Sequence, residues 1–232
     1  MRIGGLQKIT LLDFPGQLSA IVFTQGCNFS CPYCHNSSLF NEELPVLPTE
    51  DVLSFLSKRK GLLDGVVLSG GEPTVQPELI DFCRTLKQMG YLLKLDTNGS
   101  KPDVLQKLLA HNLLDYVAMD IKSDPHNYSK EICSWDLGCR LLQCMDLLAA
   151  SGLPYEFRCT CVPPFVTKHS IIDICLAIQD HASDRVPFFL QKPKLDSVLR
   201  PEFFASPNTP TDEQMEEMRQ IALLYIPNCQ IR

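Results

Sequence analysis

Short apolar runs alternate along this chain with longer stretches whose apolar residues recur every three or four positions. Residues from Leu6 to Gly16 begin with alternating apolar positions and end in the turn word Phe14-Pro15-Gly16. This predicts a short strand or arm, residues 1–17, lying over one end of the fold. The run from Leu18 to Thr24 predicts the first core strand. Pro48-Thr49-Glu50-Asp51 predicts a helix start, with Thr49 as N-cap and Val52, Phe55 and Leu56 behind it. Gly65 to Ser69 is apolar almost throughout, as a buried parallel strand is. Glu78 to Met89 carries Leu79, Phe82, Cys83 and Leu86 on one helical face and is closed by Gly90.

The pattern then repeats. Strand Tyr91–Asp96 leads to helix Pro102–His111, and strand Tyr116–Asp120 to a helix at Cys139–Ser151 with Leu142, Met145 and Leu148 inward. Strand Tyr155–Val162 precedes helix His169–His181, with Ile172, Cys175, Leu176 and Ile178 inward, and strand Phe188–Gln191 follows. The tail reads as an amphipathic helix, Thr211 to Tyr225, capped by Thr211, then a short strand Asn228–Arg232. Six β-α repeats over residues 18–192 predict an α/β fold with a parallel sheet. Eight would close a full barrel, so six predict an open, partial (β/α)6 barrel of TIM-like kind. The expected organisation is one domain over 1–232, with 193–232 as a C-terminal extension.

Composition narrows the class. The 232 residues are 45% hydrophobic and 21% charged, ordinary for a globular enzyme. A net charge of -6 weighs against a nucleic-acid partner held by broad phosphate contacts. No run approaches the ~18 apolar residues of a membrane span, and the start shows no secretory signal pattern. A cytoplasmic location is expected, where eleven cysteines argue for thiols and metal rather than disulfides.

The candidate chemistry begins at Cys27, Cys31 and Cys34, spaced C-x3-C-x2-C directly after the first core strand. Thiolates select zinc or iron–sulfur clusters. Structural zinc wants four protein ligands. Three cysteines suit a four-iron cluster with one iron left open. Other candidates lie after later strands: Gly70-Gly71-Glu72, Asp96, and Asp120 with Lys122. In parallel α/β folds that end carries the ligands. Asp120 and Lys122 fall on one strand face. Arg158, in an apolar strand, needs a partner, either a neighbouring acid or a ligand carboxylate. Cys83 and Cys175 read as core residues, as do Cys159 and Cys161, which share a strand face. Cys133, Cys139 and Cys144 match no tight ligand loop.

The cysteine spacing with Tyr33 before the last cysteine resembles the radical S-adenosylmethionine (SAM) enzymes. The words Leu12-Asp13-Phe14-Pro15-Gly16 and Gln25-Gly26-Cys27-Asn28 resemble their branch of glycyl radical enzyme activases, in particular that of anaerobic ribonucleoside-triphosphate reductase. The resemblance runs from about Leu12 to about Pro163. It implies a partial barrel of the radical SAM type and a [4Fe-4S] cluster on Cys27, Cys31 and Cys34. It also implies SAM held by Tyr33, Gly70, Gly71, Glu72, Asp96, Asp120, Lys122, Arg158 and Gln191. Within that set, the Gly-Gly-Glu word meets the SAM amino group, Tyr33 the adenine and Gln191 the ribose. A monovalent cation between Asp96 and Asp120 is a further implication. One-electron cleavage of SAM would give methionine and a 5′-deoxyadenosyl radical that takes a hydrogen from a glycine of the partner. Flavodoxin or ferredoxin would be the donor. The alternatives are a radical SAM enzyme acting on another glycyl radical enzyme or a small molecule, and a non-catalytic zinc or iron–sulfur module.

Overall fold

The computed structural model describes residues 1–205 and 209–232. Residues 206–208 of the expected extension lie outside the described residues. The chain forms two compact units. One comprises Met1–Asn28, Ser38–Thr97 and Asp103–Val117; the other comprises Phe29–Ser37, Asn98–Pro102 and Ala118–Arg232.

The first unit holds β1 (Ile3–Thr10), β2 (Ser19–Thr24), β3 (Gly65–Gly70) and β4 (Leu92–Thr97), ordered β1-β2-β3-β4. The segment read as a strand or arm is a strand, antiparallel to β2. β2, β3 and β4 run parallel, with Ile21 beside Val67, Val67 beside Lys94 and Phe23 beside Ser69. Helices α1 (Ser37–Phe40), α2 (Thr49–Lys58), α3 (Leu79–Gln88) and α4 (Pro102–Ala110) complete this part of the chain. Thr49 is the first residue of α2 rather than its cap, and Pro48 holds the cap position without a side-chain bond. On one face of the strands Phe14, Ile21 and Val67 pack together, joined by Phe23, Leu92 and Tyr116. Phe14 comes from the Phe-Pro-Gly turn and closes this face from below. A Cβ on Gly65 would meet its ring at 2.9 Å, so the residue opposite must be glycine.

β5 (Tyr116–Asp120) begins in the first unit and ends in the second. The second unit adds α5 (Arg140–Ser151), β6 (Tyr155–Thr160), α6 (Lys168–His181), β7 (Phe188–Gln191), α7 (Asp212–Leu223) and β8 (Cys229–Ile231). β6, β7 and β8 are parallel neighbours. α5 packs on α6, α6 on α7, and α7 on β8. Gly152 stops α5 at φ 71°, a left-handed position. Thr211 and Gln214 form the capping box that starts α7. The buried stripe of α6 is Ile171, Ile174, Cys175, Ala177 and Ile178. The expected inward residue Leu176 is 42% exposed. The stripe built on Ile172 and Leu176 was one position out around the helix, because this helix is apolar on more than one side. Among the described residues no helix is long and apolar enough to cross a membrane.

Candidate active site

In the first unit, the loop after β2 and the loop after β3 are tied together through backbone. Gly71 N–H donates to Thr24 O at 2.8 Å, and Glu72 N–H to Gly26 O at 2.9 Å. The approach is so close that a Cβ on Gly71 would lie 2.0 Å from Gly26 O, and one on Gly70 would lie 2.5 Å from Thr24 N. Gly70 also holds φ +114°. Both glycines are therefore required by loop packing, whatever ligand they meet. Glu72 is 1% exposed. Its Oε1 accepts from Thr74 N–H at 3.1 Å, Thr74 Oγ1 at 2.5 Å and Thr97 Oγ1 at 2.7 Å. The carboxylate thus caps the turn Pro73–Val75 and locks the loop's shape. Asp96 is the penultimate residue of β4, where its Oδ2 accepts from Ser69 Oγ at 3.0 Å and its Oδ1 from Lys94 Nζ at 2.5 Å.

Gln25, which the sequence reading noted only as part of a motif, and Gln76, which it did not note, brace the loop after β2. Gln76 Nε2 donates to Gln25 O at 2.7 Å and its Oε1 accepts from Arg2 N–H at 3.0 Å. Gln25 donates through Nε2 to Leu44 O at 2.5 Å, while its Oε1 is buried with no hydrogen-bond partner among the described residues. No spacing rule marks such glutamines.

The second unit holds Cys31 and Cys34. Their turn is closed by Cys34 N–H to Cys31 O at 3.0 Å. Other segments clamp it: Ser30 N–H donates to Ile132 O at 2.8 Å, Leu199 N–H to Cys34 O at 2.9 Å, and Arg200 N–H to Pro32 O at 3.0 Å. Burial pushes the Cys31 thiol up to about 12, with the Lys122 ammonium pulling the other way. Burial also raises Cys34. Tyr33 is 5% exposed, its ring lies 5.8 Å from that of Phe165, and its hydroxyl has no hydrogen-bond partner among the described residues. His35, next to the last cysteine, is exposed.

At the end of β5, Asp120 receives two cations. Arg158 Nε donates to Oδ1 at 2.8 Å and Lys122 Nζ to Oδ2 at 3.0 Å. Burial would raise the Asp120 carboxyl; Arg158, then Lys122, outweigh it and hold the group well below the usual carboxylate range. Lys122 is held above the usual lysine range: burial opposes its charge, but Asp120 overcomes that. Lys122 N–H donates to Tyr128 Oη at 2.6 Å, and the Tyr128 ring lies 5.8 Å from that of Phe29. Tyr128 is thus a further support unseen in sequence. Gln191 ends β7, and its carbonyl accepts from Cys161 N–H at 2.9 Å. Cys159 and Cys161 are fully buried, as are Cys83 and Cys175. Cys139 is exposed, while Cys133 and Cys144 are buried.

Among the described residues no three His, Cys, Asp or Glu side chains converge as ligands of one metal ion. A zinc ion needs its ligands within ~2.0–2.3 Å of one centre. A cubane cluster takes each thiolate on a different iron, so its cysteines stand apart. Cys31 and Cys34, soft donors on one turn, suit the thiolate ligation of such a cluster, and the Lys122 charge partly offsets the burial that disfavours the Cys31 thiolate.

A cysteine loop thus follows the first parallel strand, and charged residues stand at the ends of later strands. The Radical SAM superfamily model matches residues 21–178, more than half of the chain. The chain belongs to the radical SAM superfamily, whose members carry a [4Fe-4S] cluster and SAM. A Methanocaldococcus jannaschii protein whose name places it with the glycyl-radical enzyme activating enzymes is 32% identical over 99% of this chain and 95% of its own length. The pyruvate formate-lyase-activating enzyme of Clostridium pasteurianum is 37% identical over 52% of each chain. The solved structure of Streptococcus suis SuiB bound to precursor peptide SuiA matches with a TM-score of 0.66 at 14% identity, over 91% of this chain and 48% of that one. That likeness shows the fold, in agreement with the α/β architecture expected from the six repeats.

Proposed function

We propose that this protein activates a glycyl radical enzyme, with anaerobic ribonucleoside-triphosphate reductase as its partner. The observation that carries the reading is the likeness to an activating enzyme along nearly the full length of both chains. When bound, the cluster and SAM supply one-electron cleavage to methionine and a 5′-deoxyadenosyl radical, which removes a hydrogen atom from a glycine of the partner.

The chain's own residues bind and orient. Cys27, Cys31 and Cys34 hold the cluster. Lys122 and Arg158 outnumber Asp120 and attract the SAM carboxylate. Gly70, Gly71 and Glu72 present a rigid loop to the amino group, fixed by Thr74 and Thr97. The buried ring of Tyr33 excludes water beside the adenine, and Asp96 and Gln191 complete the SAM contacts. The electron comes from a donor such as flavodoxin or ferredoxin. Pyruvate formate-lyase is the second reading of the partner, favoured by the higher local identity to its activating enzyme.

The test is anaerobic reconstitution with iron and sulfide, followed by reduction in the presence of SAM and each purified partner. 5′-Deoxyadenosine together with a glycyl radical signal on the reductase is expected. A radical on the lyase alone reassigns the partner. No 5′-deoxyadenosine from a cluster-loaded protein with either partner overturns the activase reading.

A further inference from the structure

The family resemblance implies a monovalent ion held by Asp96 and Asp120, two carboxylates that would repel unless positive charge stands near them. The structure supplies that charge from the chain. Asp120 already has Arg158 and Lys122 on its two oxygens. Asp96 has Lys94, which lies two residues earlier on β4 and so on the same strand face.

Lys94 is an unusual residue for its position. It is 1% exposed, among the largest fully buried side chains of the protein. Its row on the sheet is apolar: Val67 is its neighbour on β3, and Ile21 stands beside Val67 on β2. Its ammonium lies 5.9 Å from the Tyr116 ring centroid, over the face of the ring. A buried lysine needs a charged partner, and Asp96 Oδ1 at 2.5 Å is that partner. Lysine is a compact point charge with three donors and no acceptor, the side chain closest in kind to a small bound cation. It rises from the row beneath Asp96, so it reaches the carboxylate from the interior. A metal cation on the same oxygen would stand within repulsion distance of the ammonium in a site that water screens poorly. The residues at Asp96 therefore do not fit a bound monovalent ion.

We propose that Lys94 is the built-in cation of Asp96: it takes the place of the expected ion and positions this carboxylate without any monovalent salt. Lys94 is a positioning residue, and the inference is independent of which partner the protein activates.

The experiment compares the cluster-loaded full chain with its Lys94→Met variant in sodium, potassium or tetramethylammonium chloride at equal ionic strength. Thermal unfolding and SAM affinity are the readouts. The natural chain is expected to give the same SAM affinity in all three salts and midpoints equal within about 1 °C. Lys94→Met removes the cation from Asp96, whose side chain is only 14% exposed, so in tetramethylammonium the midpoint should fall by about 5–10 °C. Sodium or potassium should restore at least half of that fall, because a small ion can enter where the ammonium was and tetramethylammonium cannot. A merely structural lysine would give a loss that no ion repairs, and that result overturns the proposal. So does a natural chain whose SAM affinity rises several-fold in sodium or potassium. If Lys94→Met does not fold, the double variant K94M/D96N decides. Its folding, without salt preference, supports a pair made of these two charges. Its failure to fold overturns it.

Discussion

Replacing Asp120 by asparagine keeps the shape of the site and removes one charge from a group of three. The side chains of Asp120, Arg158 and Lys122 are 27%, 15% and 16% exposed, so solvent screens the group only in part. The change weakens two charge-assisted hydrogen bonds, each worth ~1.5–3 kcal/mol, and leaves two cations facing each other. Breaking a buried pair in this way costs ~3–5 kcal/mol. The remaining amide oxygen and the partial exposure place the cost at the lower end, about 3 kcal/mol. For a protein of ~150–250 residues that is a fall in melting midpoint of ~6–12 °C. The effect has a pH signature. Asp120 is depressed in the fold relative to an unfolded value of ~3.9, so its contribution is whole above that value and drains away as pH falls toward the folded value. Urea unfolding of the two proteins at neutral pH and at several values below 4 measures the gap between them. It should narrow steadily below pH ~4. A gap of less than ~1 kcal/mol at neutral pH, or one that stays constant in acid, would refute the ion-pair reasoning.

Three further outcomes are expected. Cys31→Ala should abolish cluster assembly, read as iron and sulfide content, and with it SAM cleavage; normal cleavage would remove Cys31 from the ligand set. Arg158→Ala should keep the cluster while SAM affinity drops roughly tenfold, the ~1.4 kcal/mol expected of one charged contact; unchanged affinity would return Arg158 to a purely structural pairing with Asp120. Gly71→Ala forces a methyl group to within 2.0 Å of Gly26 O, backbone that cannot swing away, and should cost ~2 kcal/mol or more of stability; denaturant unfolding of the protein before cluster loading shows it directly.

The cysteine loop and the strands were legible in the sequence because both are short-range patterns. Three thiols within eight positions announce themselves, and so does a run such as Gly65–Ser69. Asp120 and Lys122 were expected on one strand face; they do pair, although β5 ends at Asp120 and Lys122 lies just beyond it. The same rule places Lys94 under Asp96, yet a lysine inside an apolar strand attracts no notice until its burial is seen. Glu72 shows a different limit. Its neighbour Thr74 is local, but Thr97 is brought to it by the fold. A carboxylate read for a ligand is also the cap of its own turn. The buried face of α6 was misplaced because apolar residues lie on several sides of that helix, and periodicity alone cannot choose among them.

The clamp on Cys31 and Cys34 has a consequence for how the gene can change. Its bonds, Ser30 to Ile132, Cys34 to Leu199 and Pro32 to Arg200, run between main-chain atoms. A main-chain bond is blind to the side chain that accompanies it, proline donors aside. Glu131, Leu199 and Arg200 are therefore free to drift in identity, and fully buried Ile132 only among apolar residues, while the lengths of the segments that deliver them are not. A substitution scan through the positions of these stretches other than buried Ile132 should come back nearly silent, and a one-residue deletion should not. Comparison of related chains would then find the support for the cysteines in the spacing of gaps rather than in any recurring letter.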